Sequence, residues 1–148
     1  MNTQSDILSN EMTIKTDFSE LSKVREFIIL HAEAIGFSDI EASNISLAVD
    51  EACTNIIRHT FKLDPLNNFN LKIEINGNYF IITINDCGNS FNPIEYPEPN
   101  MGEYLKQFKR GGLGIHIIKK IMDEINYIPA NDSNHFNSLQ LKKALPLH

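Results

Sequence analysis

A chain of 148 residues, 42% hydrophobic, is long enough to bury one core and too short for two ordinary domains. Its formal net charge of −6 and isoelectric point near 5.3 disfavour nucleic acid as the main partner, because binding a phosphate backbone takes a basic footprint. Residues 1–10 are polar and no apolar run approaches the roughly 20 residues of a membrane span, so a soluble cytoplasmic protein acting on a protein partner or small ligand is expected.

Residues 1–9 read as a frayed lead-in to a single domain over 10–146. Glu11 to Asp17 alternates as a short edge strand does. Asp17 or Ser19 caps a helix through Leu21, Val24, Phe27, Ile28 and His31 to Ile35, where Gly36 supplies the stop. Within it, His31 reads as a core or surface histidine rather than a phosphoacceptor. Ser38 caps a second helix from about Ile40 to Thr60, with Ile45, Ala48, Val49, Ala52 and Ile56 at the spacing of one buried face. Phe69–Ile75 and Tyr79–Asp86 flank Asn76-Gly77-Asn78, a strong hairpin signal.

Glycines and prolines interrupt the pattern from Cys87 to Gly112, with at most a short helix around Glu103 to Phe108; loops of such length are usually functional. A helix from about Leu113 to Ile125, a strand near Asn126 to Pro129, a polar turn at 131–134 and a strand from about Phe136 to Ala144 finish the chain. The order predicts an α+β fold: a two-layer sandwich with a mixed, mostly antiparallel sheet and helices on one face. Cys53 and Cys87 are too few and too far apart for a zinc or dithiol motif. They read as free thiols, each a small buried hydrophobe.

Three elements carry chemistry. On the second helix Glu51 and Asn55 stack four residues apart with His59 one turn further, and at roughly 100° per residue their line runs along the flank of the apolar face. A carboxylate and an amide there are placed to line a cleft; the plainer alternative is a half-solvated boundary stripe. Asp86 ends a strand, and its carboxylate can accept a hydrogen bond from an exocyclic amine while Gly88 lets a ring approach the backbone, although Asp-x-Gly is often only a turn. Arg110-Gly-Gly-Leu-Gly-Ile115 opens a helix and frees N–H groups for phosphate oxygens. Without a Walker lysine and serine or threonine it is not a P-loop.

In this order, Glu51-Ala-Cys-Thr-Asn55, Asp86-Cys-Gly88 and Gly111-Gly-Leu-Gly114 resemble the N, G1 and G2 boxes of the gyrase, heat-shock ATPase, histidine-kinase and mismatch-repair superfamily. The longer runs Ala48–His59, Asp86–Phe91 and Gly111–Ile125 resemble the anti-sigma-factor serine kinases of bacterial partner switching, over about Met12 to Ala144. The resemblance implies ATP and Mg2+ as cofactors. Asn55 would be the magnesium ligand, Glu51 the general base, Asp86 the reader of the adenine amine and Gly88 the residue that admits the ring. Residues 92–110 would form the ATP lid. Gly112, Leu113 and Gly114 would cradle the phosphates, with Arg110 as a charge partner. Where such kinases carry Gly-Thr before the final strand, this chain has Phe136-Asn-Ser-Leu139, so Ser138 is expected to stand in by its hydroxyl.

Glu51 selects among relatives, since a serine hydroxyl needs a base and an imidazole nucleophile does not. The resemblance therefore implies a serine/threonine kinase and anti-sigma factor that phosphorylates an anti-anti-sigma protein of STAS type and sequesters a sigma factor. It also implies a homodimer. The alternative is a nucleotide-gated binding module with little phosphotransfer; a phosphatase-activating regulator would differ only in its partner.

Overall fold

Asp17, Gly36 and Ser38 act at the helix boundaries as their chemistry predicts. In the computed structural model, which describes residues 10–90, 92–95 and 114–146, helix α1 spans Leu21–Ile35 and stops at Gly36. That glycine takes φ 119° and turns its N–H onto the Ala32 and Glu33 carbonyls. Asp17 caps the 3-10 turn Phe18–Glu20 leading into α1 by accepting the Ser19 N–H at 3.0 Å. Helix α2, Asp39–Asn55, starts on a reciprocal box in which Ser38 Oγ accepts the Glu41 N–H at 3.1 Å and the Glu41 carboxylate accepts the Ser38 N–H at 3.0 Å.

After Asn55 the second helix changes type. Ile56–Thr60 is a π turn, with the Phe61 N–H bonded to the Ile56 carbonyl five residues back at 3.0 Å. This wider turn rotates His59 away from the line that α-helical spacing draws through Glu51 and Asn55. The chain then leaves through Lys62 and Leu63 at φ 51° and 67°, a conformation costing non-glycine residues about 1–2 kcal/mol each. The exit is fixed by the Leu63 N–H on the Ile57 carbonyl at 2.8 Å and the Thr16 N–H on the Asn67 carbonyl at 3.0 Å.

Strands β1 (Glu11–Lys15), β2 (Asn68–Asn76), β3 (Tyr79–Asp86), β4 (Glu124–Ile128) and β5 (Asn137–Ala144) form one sheet in the order β1-β2-β3-β5-β4, antiparallel at every pairing. Gly77, at φ 61°, and Asn78 make the two-residue turn between the paired ends Asn76 and Tyr79. Alternation along the strands sends Phe69, Leu71, Ile73, Phe80, Ile82, Ile84, Leu139 and Leu141 into a core shared with Val24, Ile28, Ile45, Val49 and Ala52 of the helices. The opposite face presents Asn70, Thr83, Asn85, Ser138 and Gln140, which places the helices on one side of a two-layer sandwich.

The third helix, α3, spans Gly114–Ile121, shorter than its sequence periodicity predicts. Ile121 and Ile125 fit a helical period, but Ile125 and Tyr127 also fit a strand, and pairing with β5 decides between them. The Asp123 N–H reaches the Lys142 carbonyl at 2.9 Å, and Lys143 Nζ donates to the exposed end of α3 at the Ile121 carbonyl at 2.8 Å. Glu124 and Ile125 are therefore strand residues. Of the expected lid, the described part is a 3-10 turn at Pro93–Glu95; the anticipated helix at 103–108 and the lead-in 1–9 lie outside the described residues.

Candidate functional site

Helix α2 carries the first half of the site. Asn55 lies at its last turn, only 7% exposed, and its carboxamide makes no hydrogen bond to a described residue. Glu51, half-buried one turn earlier, faces the start of α3. A Cβ on Gly114 would stand 2.8 Å from Glu51 Oε2, which would have to move, and 3.6 Å from Asn55 Nδ2, an ordinary contact, so the helix start lies against both side chains and only the Glu51 approach calls for glycine. The first N–H groups of α3 have no partner within the helix, and the dipole at that end favours negative charge. Glu51, Asn55 and Gly114 thus form one cluster, although they are far apart in sequence.

The second half sits where β3 ends. Asp86 is 5% exposed, and its Oδ1 accepts the Gly88 N–H at 3.0 Å and Asn137 Nδ2 at 2.8 Å. Gly88 packs on the extension of α2: a Cβ there would come within 2.5 Å of Thr60 Cγ2 and 2.8 Å of Phe61 Cε1. The ring that approaches this backbone is the protein's own Phe61. A cleft of about 320 Å3 opens beside the turn, lined by Thr60, Phe61, Lys62, Asn67, Cys87, Gly88 and Asn89. Because Thr60 is buried, Gly88→Ala is expected to destabilise the fold by about 1–3 kcal/mol through overcrowding. A urea melt with unchanged slope and lowered midpoint is the readout; an unchanged midpoint contradicts the close contact.

A sequence profile described as the histidine kinase-like ATPase domain matches residues 14–143. The chain belongs to this family. Among curated proteins it is 29% identical over 99 residues to the serine-protein kinase RsbW of Bacillus licheniformis, an alignment covering 64% of this chain and 61% of that one. It is 28% identical over 131 residues to the serine-protein kinase RsbW of Staphylococcus epidermidis, covering 84% and 80%. The chain spans about six tenths of the length of the first of these relatives. By structure it is similar to a chain of the SiaB-SiaC complex from Pseudomonas aeruginosa, with a TM-score of 0.62, 14% identity and coverage of 95% and 94%. The histidine kinase domain of the Erythrobacter litoralis EL346 blue-light activated histidine kinase gives a TM-score of 0.51 at 17% identity, covering 95% and 72%. These structural likenesses agree on the fold.

Within this ATPase domain the two carboxylates experience opposing influences. Burial and the neighbouring Asp50 charge push the Glu51 carboxyl above the usual range, with Arg58 pulling it back. Burial raises Asp86 as well, against the bonds from Asn137 and Gly88 that favour its ionised form. His59 is pushed down by burial and by the Arg58 charge. Cys53 is buried with its thiol raised by desolvation, whereas Cys87 is exposed, contrary to its reading as a buried hydrophobe, because it follows the strand end at the mouth of the cleft.

Ser138 pairs with Asn85 in the register, and its hydroxyl donates to Asn85 Oδ1 on the sheet face away from the helices. The residue opposite Asp86 is Asn137, one position earlier, which the sequence reading passed over. A polar residue at the start of the last strand, in register with the acidic end of β3, was the available signal. Arg110, Gly112 and Leu113 lie outside the described residues. No helix among the described residues is long and apolar enough to cross a membrane, and no group of three or more His, Cys, Asp or Glu side chains among them is placed to hold a metal ion.

Proposed function

We propose that this domain binds ATP with magnesium and transfers the γ-phosphoryl group to a serine or threonine of an anti-anti-sigma protein of STAS type, while sequestering a sigma factor. The observation that carries this reading is the approach of Gly114 to Glu51 and Asn55: a carboxylate, a buried amide and the start of a helix share one small volume. Phosphoryl transfer asks for little more than positioning and charge stabilisation. Similarity to serine-protein kinases supports the choice of acceptor.

The residues fit a hard cation of magnesium type. An amide oxygen from Asn55, in a region without a multi-carboxylate cluster among the described residues, suits an ion that takes most of its other oxygens from phosphates and water. Bound MgATP supplies the phosphoryl group and neutralises its charge. Asn55 would hold the ion and the N–H groups at the start of α3 at Gly114 would receive the phosphates, with Gly112, Leu113 and Arg110 proposed for the same role from their place in the motif. Asp86 accepts a hydrogen bond from the base amine. Glu51 takes the proton of the attacking hydroxyl as its oxygen bonds to phosphorus and the bond to the β-phosphate oxygen breaks. The domain, over 10–146 with its lid at 92–110, acts in the cytoplasm as a homodimer.

Calorimetric titration with ATP, with and without magnesium, tests the site. Magnesium-dependent binding is expected, weakened about 10- to 100-fold in Asn55→Ala, the scale of a lost interaction with a charged group. Equal binding in the variant contradicts the assigned ligand, and no binding to either protein contradicts the nucleotide site.

A further inference from the structure

Asn137 is 1% exposed, and all four hydrogen-bonding positions of its carboxamide are occupied. Nδ2 donates to Asp86 Oδ1 at 2.8 Å and to the Gly88 carbonyl at 3.0 Å, while Oδ1 accepts Ser90 Oγ and the Ala130 N–H, both at 2.8 Å. A backbone N–H can only donate and a backbone carbonyl can only accept, so Ala130 and Gly88 fix which end of the amide is which. Its two bonds on the Asp86 side fall on the carboxylate's own loop. Asp86 Oδ1 thus receives two bonds, from Asn137 Nδ2 and from the Gly88 N–H, and none of the bonds among the described residues falls on Oδ2.

We infer that Asn137 is a positioning residue for nucleotide recognition: by pinning Asp86 Oδ1 and the Gly88 carbonyl to the turn before β5, it presents Oδ2 in one orientation and so sets the preference for a base bearing an exocyclic amine. The inference rests on the role proposed for Asp86 as reader of that amine. A rotatable carboxylate would offer either oxygen in several directions and would tolerate bases lacking the donor. Held by an amide that is itself tied to the β3 end, the Ser90 loop and the Ala130 turn, the Asp86 carboxylate rewards only a donor on the line of Oδ2.

The test compares the affinity of ATP with that of purine riboside triphosphate, which lacks the 6-amino group, in the wild type, Asp86→Asn, Asn137→Leu and Ser90→Ala. The wild type is expected to prefer ATP by about 10- to 100-fold, the range for a hydrogen bond to a charged group. In Asn137→Leu the preference falls to within about threefold, chiefly by loss of ATP affinity, as in Asp86→Asn. Ser90→Ala removes one bond on the far side of the amide and serves if Asn137→Leu does not fold; it is expected to lower the preference by about two- to fivefold. Equal weakening of both nucleotides in the Asn137 and Ser90 variants, with the preference intact, overturns the inference and leaves the role of Asp86 standing. A wild type with no preference overturns the role of Asp86 and the inference with it.

Discussion

Replacing Glu51 by Gln is expected to slow phosphoryl transfer by about 10²- to 10⁴-fold while leaving MgATP affinity within a few-fold of the wild type. The substitution keeps the shape beside Gly114 and removes only the capacity to take a proton, so the loss reports general-base catalysis rather than a collapsed site. Because burial and Asp50 raise the Glu51 carboxyl, the transfer rate should climb with pH through a range above that of an exposed glutamate, and this rise should be absent in the variant. Stability moves the other way. A carboxyl raised in the folded state keeps its proton where the unfolded chain has lost it, so its contribution is present below the unfolded pKa and disappears as pH rises through the folded one. Glu51→Gln, neutral throughout, is therefore expected to melt at a temperature equal to or higher than the wild type at neutral pH. Initial rates of γ-phosphate transfer, thermal melts and ATP titration separate these effects; full activity in the variant contradicts the assignment.

Gly114→Ala is expected to cost activity and little stability. The new Cβ meets Glu51 Oε2 at 2.8 Å, and that oxygen is the mobile end of a flexible side chain, so the fold accommodates it by moving the carboxylate. Alanine also favours a helix more than glycine does, by up to about 1 kcal/mol. Displacing a catalytic group by about 1 Å costs on the order of 10²-fold in rate, and the variant's turnover should fall by about 10- to 100-fold with a melting temperature within a few degrees of the wild type. A fall in both together would show that Gly114 serves packing, and unchanged turnover would show that Glu51 is not poised against this helix.

Most of the architecture was legible because local chemistry and tertiary packing agree. The Ser38 capping box, the Gly36 stop and the two-residue Gly77-Asn78 turn each act within a few residues, and the alternating apolar positions of β2 and β3 point to one core. The boundaries that shifted are those set from a distance. Ile125 joined β4 because β5 supplies hydrogen bonds that the helical period does not register, and the π turn after Asn55 is closed by the Phe61 N–H on the Ile56 carbonyl, a bond that the apolar spacing does not contain. The meeting of Glu51, Asn55 and Gly114 could be expected from motif order, but the contact distances could not. Asn137 was missed for a related reason: its role depends on a cross-strand register with Asp86, which spacing along one strand does not contain.

The most direct test is to incubate the protein with magnesium and ATP labelled at the γ-phosphate, together with a purified STAS-type anti-anti-sigma domain, and to map the labelled residue. The account predicts label on one serine or threonine of that partner, dependent on magnesium and appearing about 10²- to 10⁴-fold more slowly in Glu51→Gln. Label appearing only as free phosphate, or bound ATP with no transfer to any such partner, would contradict it.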